Sequence, residues 1–129
     1  MLHQAIKAYQ TAEQEFLVEG ADAHNLVQIL FTELLSNLDR AGESLEAKDF
    51  TAKSSHLSKS LTILHVLATS LDFERGGDVA TSLAELYDWA RRKVIQASCS
   101  NVRAELTEVH KVIAEIASAW ESIRTVRAA

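Results

Sequence analysis

No proline occurs anywhere in the 129 residues, and that absence narrows the fold more than any single motif does. Proline fixes φ, lacks a backbone N–H and breaks helix interiors, so a chain that omits it is free to form long uninterrupted helices. The apolar residues then recur in a helical rhythm. Val102, Leu106, Val109, Ile113, Ile116, Trp120 and Ile123 follow one another at alternating spacings of four and three, which lines them up on one stripe of an α-helix.

The same rhythm predicts earlier helices. One runs from about Ala23 to Ala47, with a seam of Val27, Phe31, Leu34, Leu38, Ala41 and Leu45. The next runs from about Thr51 to Phe73 on Leu57, Leu61, Leu64, Ala68 and Leu71, and another from Asp78 to about Ala97 on Val79, Leu83, Leu86, Ala90, Val94 and Ala97. A thinner stripe (Leu2, Ile6, Tyr9, Phe16) predicts a short first helix over about Gln4 to Leu17. The breaks are short: Gly20-Ala21-Asp22, Lys48-Asp49, Glu74 to Asp78, and Ser98 to Asn101. Asp22 and Asp78 are candidate N-caps, and Gly76-Gly77 supplies a left-handed helix stop. Short connections make neighbouring helices antiparallel. The expected fold is therefore all-α: an antiparallel up-down four-helix bundle over residues 22–125, with a short additional N-terminal helix in an arm or lid at residues 1–18. Residues 1–129 are expected to form a single domain.

Composition excludes several functions. A net charge of −5 argues against a nucleic-acid surface, which needs a basic face. The one basic run, Arg91-Arg92-Lys93, is expected to solvate a helix face and complement that helix's C-terminal dipole. The lone Cys99 cannot form an internal disulfide or a multi-cysteine metal site. The N-terminus has neither the basic nor the apolar region of a leader, and no apolar run approaches the ~20 residues needed to span a membrane. The expected location is the cytoplasm, with no stable membrane insertion.

Little in the chain suggests catalysis. None of the five histidines (His3, His24, His56, His65, His110) follows a glutamate by three residues, so the di-metal pattern of helical bundles is missing, and no metal or cofactor is expected. The sharpest chemical candidate is His56-Leu57-Ser58-Lys59-Ser60, which resembles the His-x-x-Lys-Gly core of histidine phosphotransfer domains; in those an exposed histidine accepts a phosphoryl group. The alternative for this short match is a solvated helix face.

Some apolar side chains fall outside the seams. Ile29 lies almost opposite Val27 and Phe31; Ile63, Val66 and Phe73 share a face away from the third seam; Tyr87 and Trp89 flank the fourth, and Ile95 lies off it. Several such residues on one face suggest a groove for a partner; the alternative is that the first helix, or wide packing, covers them.

Leu71-Asp72-Phe73-Glu74-Arg75-Gly76-Gly77-Asp78-Val79-Ala80, followed by Leu83 and then Leu86-Tyr87-Asp88-Trp89, resembles the Leu-Asp-x-Glu-x-Gly-Gly … Leu-Tyr-Asp-Tyr signature of the flagellar secretion chaperones, the FliS family. Tyr9-Gln10, Leu26-Val27, Leu30-Phe31, Glu108-Val109 and Ala119-Trp120 fall at the family's other landmarks in order. The resemblance implies a binding protein and not an enzyme. Its partner would be the C-terminal segment of flagellin, disordered before assembly. Binding would prevent premature polymerisation and assist delivery to the export gate of the flagellar type III apparatus, with no cofactor. The implied contact residues are Ile6 and Tyr9 in a movable N-terminal lid, Leu26, and Tyr87, joining the off-seam Ile29, Ile63, Val66 and Phe73. The competing readings are phosphotransfer through His56 and a generic helical adaptor.

Overall fold

The structure is a computed structural model that describes residues 23–128, with side chains described for residues 24–122. The predicted helix from Gln4 to Leu17, the break at Gly20 to Asp22, and the side chains of Ile6, Tyr9 and Ile123 lie outside those residues. Four helices account for nearly all of the described chain: α1 (Ala23–Glu46), α2 (Phe50–Thr69), α3 (Phe73–Ser100) and α4 (Arg103–Ala128). No strand is present among the described residues. α1 packs against α2 and α4, and α3 against the same two, so the helices form a ring around one apolar core.

Each connection has its own stop chemistry. At the end of α1, Lys48 adopts φ 58 while Asp49 N–H donates to Ser44 C=O at 2.9 Å and Lys48 N–H to Leu45 C=O at 3.1 Å. This is a Schellman closure in which lysine holds the position usually given to glycine. Asp49 then caps α2, its carboxylate accepting from Ala52 N–H at 3.1 Å. Asn101 closes α3 at φ 57, donating its N–H to Ala97 C=O.

The connection between α2 and α3 departs from the expected one. α2 ends at Thr69, four residues earlier than the periodicity suggests, and Asp72 rather than Asp78 is the cap, accepting from Arg75 N–H at 3.1 Å. Phe73 to Gly76 form one helical turn. Gly77 (φ 52, ψ −128) then bends the chain before the long remainder of α3. The glycine takes the left-handed φ predicted for it and interrupts the helical path there, so that Phe73 to Gly76 stand as a short turn before the long remainder of α3. Phe73 therefore opens α3 and does not share a face with Ile63 and Val66 on α2.

The seam of α1 is as expected: all six residues are buried. On α2 the buried stripe is Lys53, Leu57, Ser60, Leu64 and Leu67, continued by Leu71 just past the helix, with Leu61 and Ala68 only half-buried. A lysine and a serine on the stripe hide its phase from an apolar count. Lys53 is accommodated because its Nζ donates to Ser98 C=O at 3.1 Å and Asn101 Oδ1 at 2.9 Å, satisfying carbonyls that the end of α3 leaves open. On α3, Ala80 and Tyr87 are buried in place of Val79, Leu83 and Leu86. On α4 the core takes Leu106, Val109, Ile113, Ala117 and Trp120, while Val102 precedes the helix and is exposed.

Contacts between α1 and α4 join opposite ends of the two helices. Near the start of α1, His24 stacks on Trp120 of α4 with ring centroids 4.5 Å apart and planes 9° from parallel. The two residues also exchange backbone contacts. His24 Nε2 donates to Trp120 C=O at 2.8 Å, and Trp120 Nε1 donates to His24 C=O at 2.9 Å. At the other end Arg103 pairs with Glu46 at 2.7 Å.

Candidate functional site: an apolar groove between α1 and α2

A shallow depression of about 340 Å³ lies where α1 meets α2. Leu30 and Ile63 give it apolar walls, and Glu33, Asn37, Lys59 and Thr62 complete its rim. Leu30, Glu33 and Asn37 recur at spacings of three and four, and with Leu26 they make a second stripe beside the α1 seam. Asn37 Nδ2 donates to Glu33 C=O at 2.9 Å, which leaves Asn37 Oδ1 to accept from His56 Nδ1 at 3.0 Å. This bond fixes the register of the two helices at the polar end of the groove.

The predicted contact residues separate into groups. Ile63 lines the groove; Leu26 and Val66 are half-buried on the same two helices. Ile29 is 56% exposed on α1 and Phe73 is 54% exposed at the start of α3. Tyr87 is only 2% exposed and belongs to the core, so this structure does not present its side chain to a partner. It lies on the same buried stripe of α3 as Ala80, Ala90, Val94 and Ala97. Ile6 and Tyr9 lie outside the described residues. Leu30, Glu33, Asn37, Lys59 and Thr62 also line the groove; they lie immediately beside the seams, where apolar residues opposite a seam give no sign of them.

His56 does not have the free exposure that a phosphoryl acceptor requires. It is half-buried, with Nδ1 engaged by Asn37. The basic run on α3 is likewise occupied. Arg91 and Arg92 pair with Asp88 at 2.9 and 3.1 Å, and Lys93 reaches Glu108 on α4 at 3.4 Å. The hydrogen bond from Arg91, above all, holds the Asp88 carboxyl below its usual range. Because α3 continues to Ser100, this run is not at a helix C-terminus, and its role is pairing within and between helices. Across the α1–α4 face, His110 Nε2 lies 3.2 Å from Asp39. No group of side chains able to hold a metal ion occurs among the described residues, and no described helix is long and apolar enough to cross a membrane.

Residues 5–127 match the family described as flagellar protein FliS. The chain is 40% identical over 119 residues to the flagellar secretion chaperone FliS of Salmonella typhimurium, covering 92% of this chain and 88% of that protein. It is 33% identical to the flagellar secretion chaperone FliSB of Pseudomonas aeruginosa (92% and 94% covered) and 30% identical to FliS of Vibrio cholerae (92% and 88% covered). The chain belongs to the FliS family of flagellar secretion chaperones.

Proposed function

We propose that this chain is a cytoplasmic export chaperone that binds the disordered C-terminal segment of flagellin, keeps it from polymerising early and assists its delivery to the flagellar type III export gate. The observation that carries this reading is the groove between α1 and α2, a shallow seat with apolar walls at Leu30 and Ile63, in a member of a family of secretion chaperones. A segment that orders on binding loses conformational entropy and needs apolar contact to offset it; Leu30, Ile63, Leu26, Val66 and the exposed Ile29 and Phe73 offer that contact. Binding by such a surface needs no catalytic group. The same reading takes residues 1–129 as one domain in which the bundle is antiparallel and up-down. The short connections support this topology, as do the end-to-end contacts His24–Trp120 and Glu46–Arg103. Residues 1–18 act as a lid helix over part of the groove, with Ile6 and Tyr9 on its contact face.

The test is calorimetric titration with a peptide of the last ~40 residues of the host's flagellin, long enough for the extensive burial of coupled folding. Saturable one-to-one binding with a negative heat-capacity change is expected, since apolar burial carries that sign. Absence of heat and of any spectroscopic change across the titration would refute the reading.

A further inference from the structure

Two charges of opposite sign face each other across the groove. Glu33 stands on the α1 wall and Lys59 on the α2 wall, both exposed, and they line the depression together with Leu30, Ile63 and Thr62. Neither makes an ion pair with any described residue, whereas Arg91, Arg92, Lys93 and Arg103 all do. The polarity extends beyond a single residue. α2 contains no carboxylate at all, and its only formal charges are Lys53, which is turned inward, and Lys59.

An amphipathic helix lying in such a groove with its apolar stripe down presents one flank to α1 and the other to α2. Reversing its chain direction exchanges the flanks. We propose that Glu33 and Lys59 read the direction of the bound helix, selecting a segment with a cationic side chain on the flank facing α1 and a carboxylate on the flank facing α2. This rests on the binding function proposed above and adds the chemistry of the partner and the sense in which it lies. Leu30 and Ile63 are apolar on both sides and accept a helix in either sense, so discrimination falls to the charges. Charge complementarity is well suited to that role, because it fixes register and excludes wrong pairings more than it adds affinity.

The experiment titrates the flagellin C-terminal peptide into the full-length protein and into Glu33→Lys, Lys59→Glu and the double exchange. Each reversal removes an attraction and adds a repulsion, so each single variant should weaken binding about three- to tenfold. The double exchange should return to near the parent affinity with the peptide lying in the opposite sense, because swapping the charges of the two walls is matched by swapping the flanks of the helix. It is the decisive variant, because it has the same net charge as the parent, and the sense is read from which end of the groove is broadened by a spin label at the peptide's N-terminus. Were the peptide responding only to overall charge, the two single variants would move in opposite directions and the label would stay at the same end of the groove in the double variant. That pattern, or equal affinity in all four proteins, overturns the proposal while leaving the chaperone reading intact. Failure of the parent itself to bind overturns both. Thermal midpoints of the four proteins should coincide. A drop on reversing either charge would also overturn the proposal, since it would place the charge against a segment of this same chain.

Discussion

At the scale of single residues, His24 and Trp120 close the bundle through one another's backbone. A carbonyl only accepts, so the contact with Trp120 C=O places the proton on His24 Nε2, and both indole and imidazole are almost fully buried. Trp120→Ala removes the stack, the indole donor and a large buried volume together. A loss of about 3–5 kcal/mol is expected, read as a shift in the urea midpoint at unchanged slope. Lys48 offers the opposite case. Its φ of 58 is one that glycine adopts freely and lysine does not, so Lys48→Gly should stabilise by up to about 1 kcal/mol, visible as a higher thermal midpoint. An unchanged or lower midpoint would mean that the Schellman closure carries no strain. Val66, half-buried beside the groove, separates packing from binding: Val66→Asp should reduce peptide affinity with little change in thermal midpoint, and a large drop in the midpoint would assign Val66 to the core.

At the scale of elements, the ease of reading each helix followed how apolar its buried stripe is. The seam of α1 was legible because all six of its residues are apolar and buried, although the polar His24 and Asn37 are buried beside it and carry no apolar signal. The seam predicted for α2 was right at Leu57, Leu64 and Leu71 but placed Leu61 and Ala68 where Ser60 and Leu67 are buried, because Lys53 and Ser60 hide part of the stripe: the lysine is tolerated by two hydrogen bonds at the end of α3, the serine by donating to His56 C=O at 2.9 Å. Neither partnership can be seen in a linear pattern. α3 was misread at its start because two aspartates six positions apart both look like caps, and only the backbone shows that Asp72 is used. Gly77 follows from this. A side chain there would meet no atom within 4 Å, yet the dihedral pair is one that L-residues avoid. Gly77→Ala should therefore destabilise by about 1–3 kcal/mol, although the methyl has room. A neutral result in a denaturation series would show that the first turn of α3 relaxes without loss.

At the scale of the whole molecule, the candidate site was legible only in outline. Sequence periodicity pointed to surplus apolar residues on α1 and α2, and Ile63 does line the groove. Its polar rim needed the register set by Asn37 and His56, a contact between two helices that no single-helix pattern contains. If residues 1–18 act as a lid, adding the flagellin peptide should change hydrogen exchange over Gln4 to Leu17. Identical protection with and without peptide would remove the lid from the mechanism.

The spacing along the chain of two contacts has a consequence for the order of assembly. Asn37 and His56, which set the groove, are 19 residues apart, whereas His24 and Trp120 are 96 apart. Loop-closure entropy grows as the logarithm of separation, so the longer closure is disfavoured by about 1.4 kcal/mol more. The α1–α2 hairpin is thus the natural nucleus, and the α1–α4 clamp forms late. Substitutions at Leu34 or Leu64 should mainly slow refolding, while those at Trp120 should mainly hasten unfolding. A chain emerging from synthesis would then carry its groove before its last helix has arrived to seal the core.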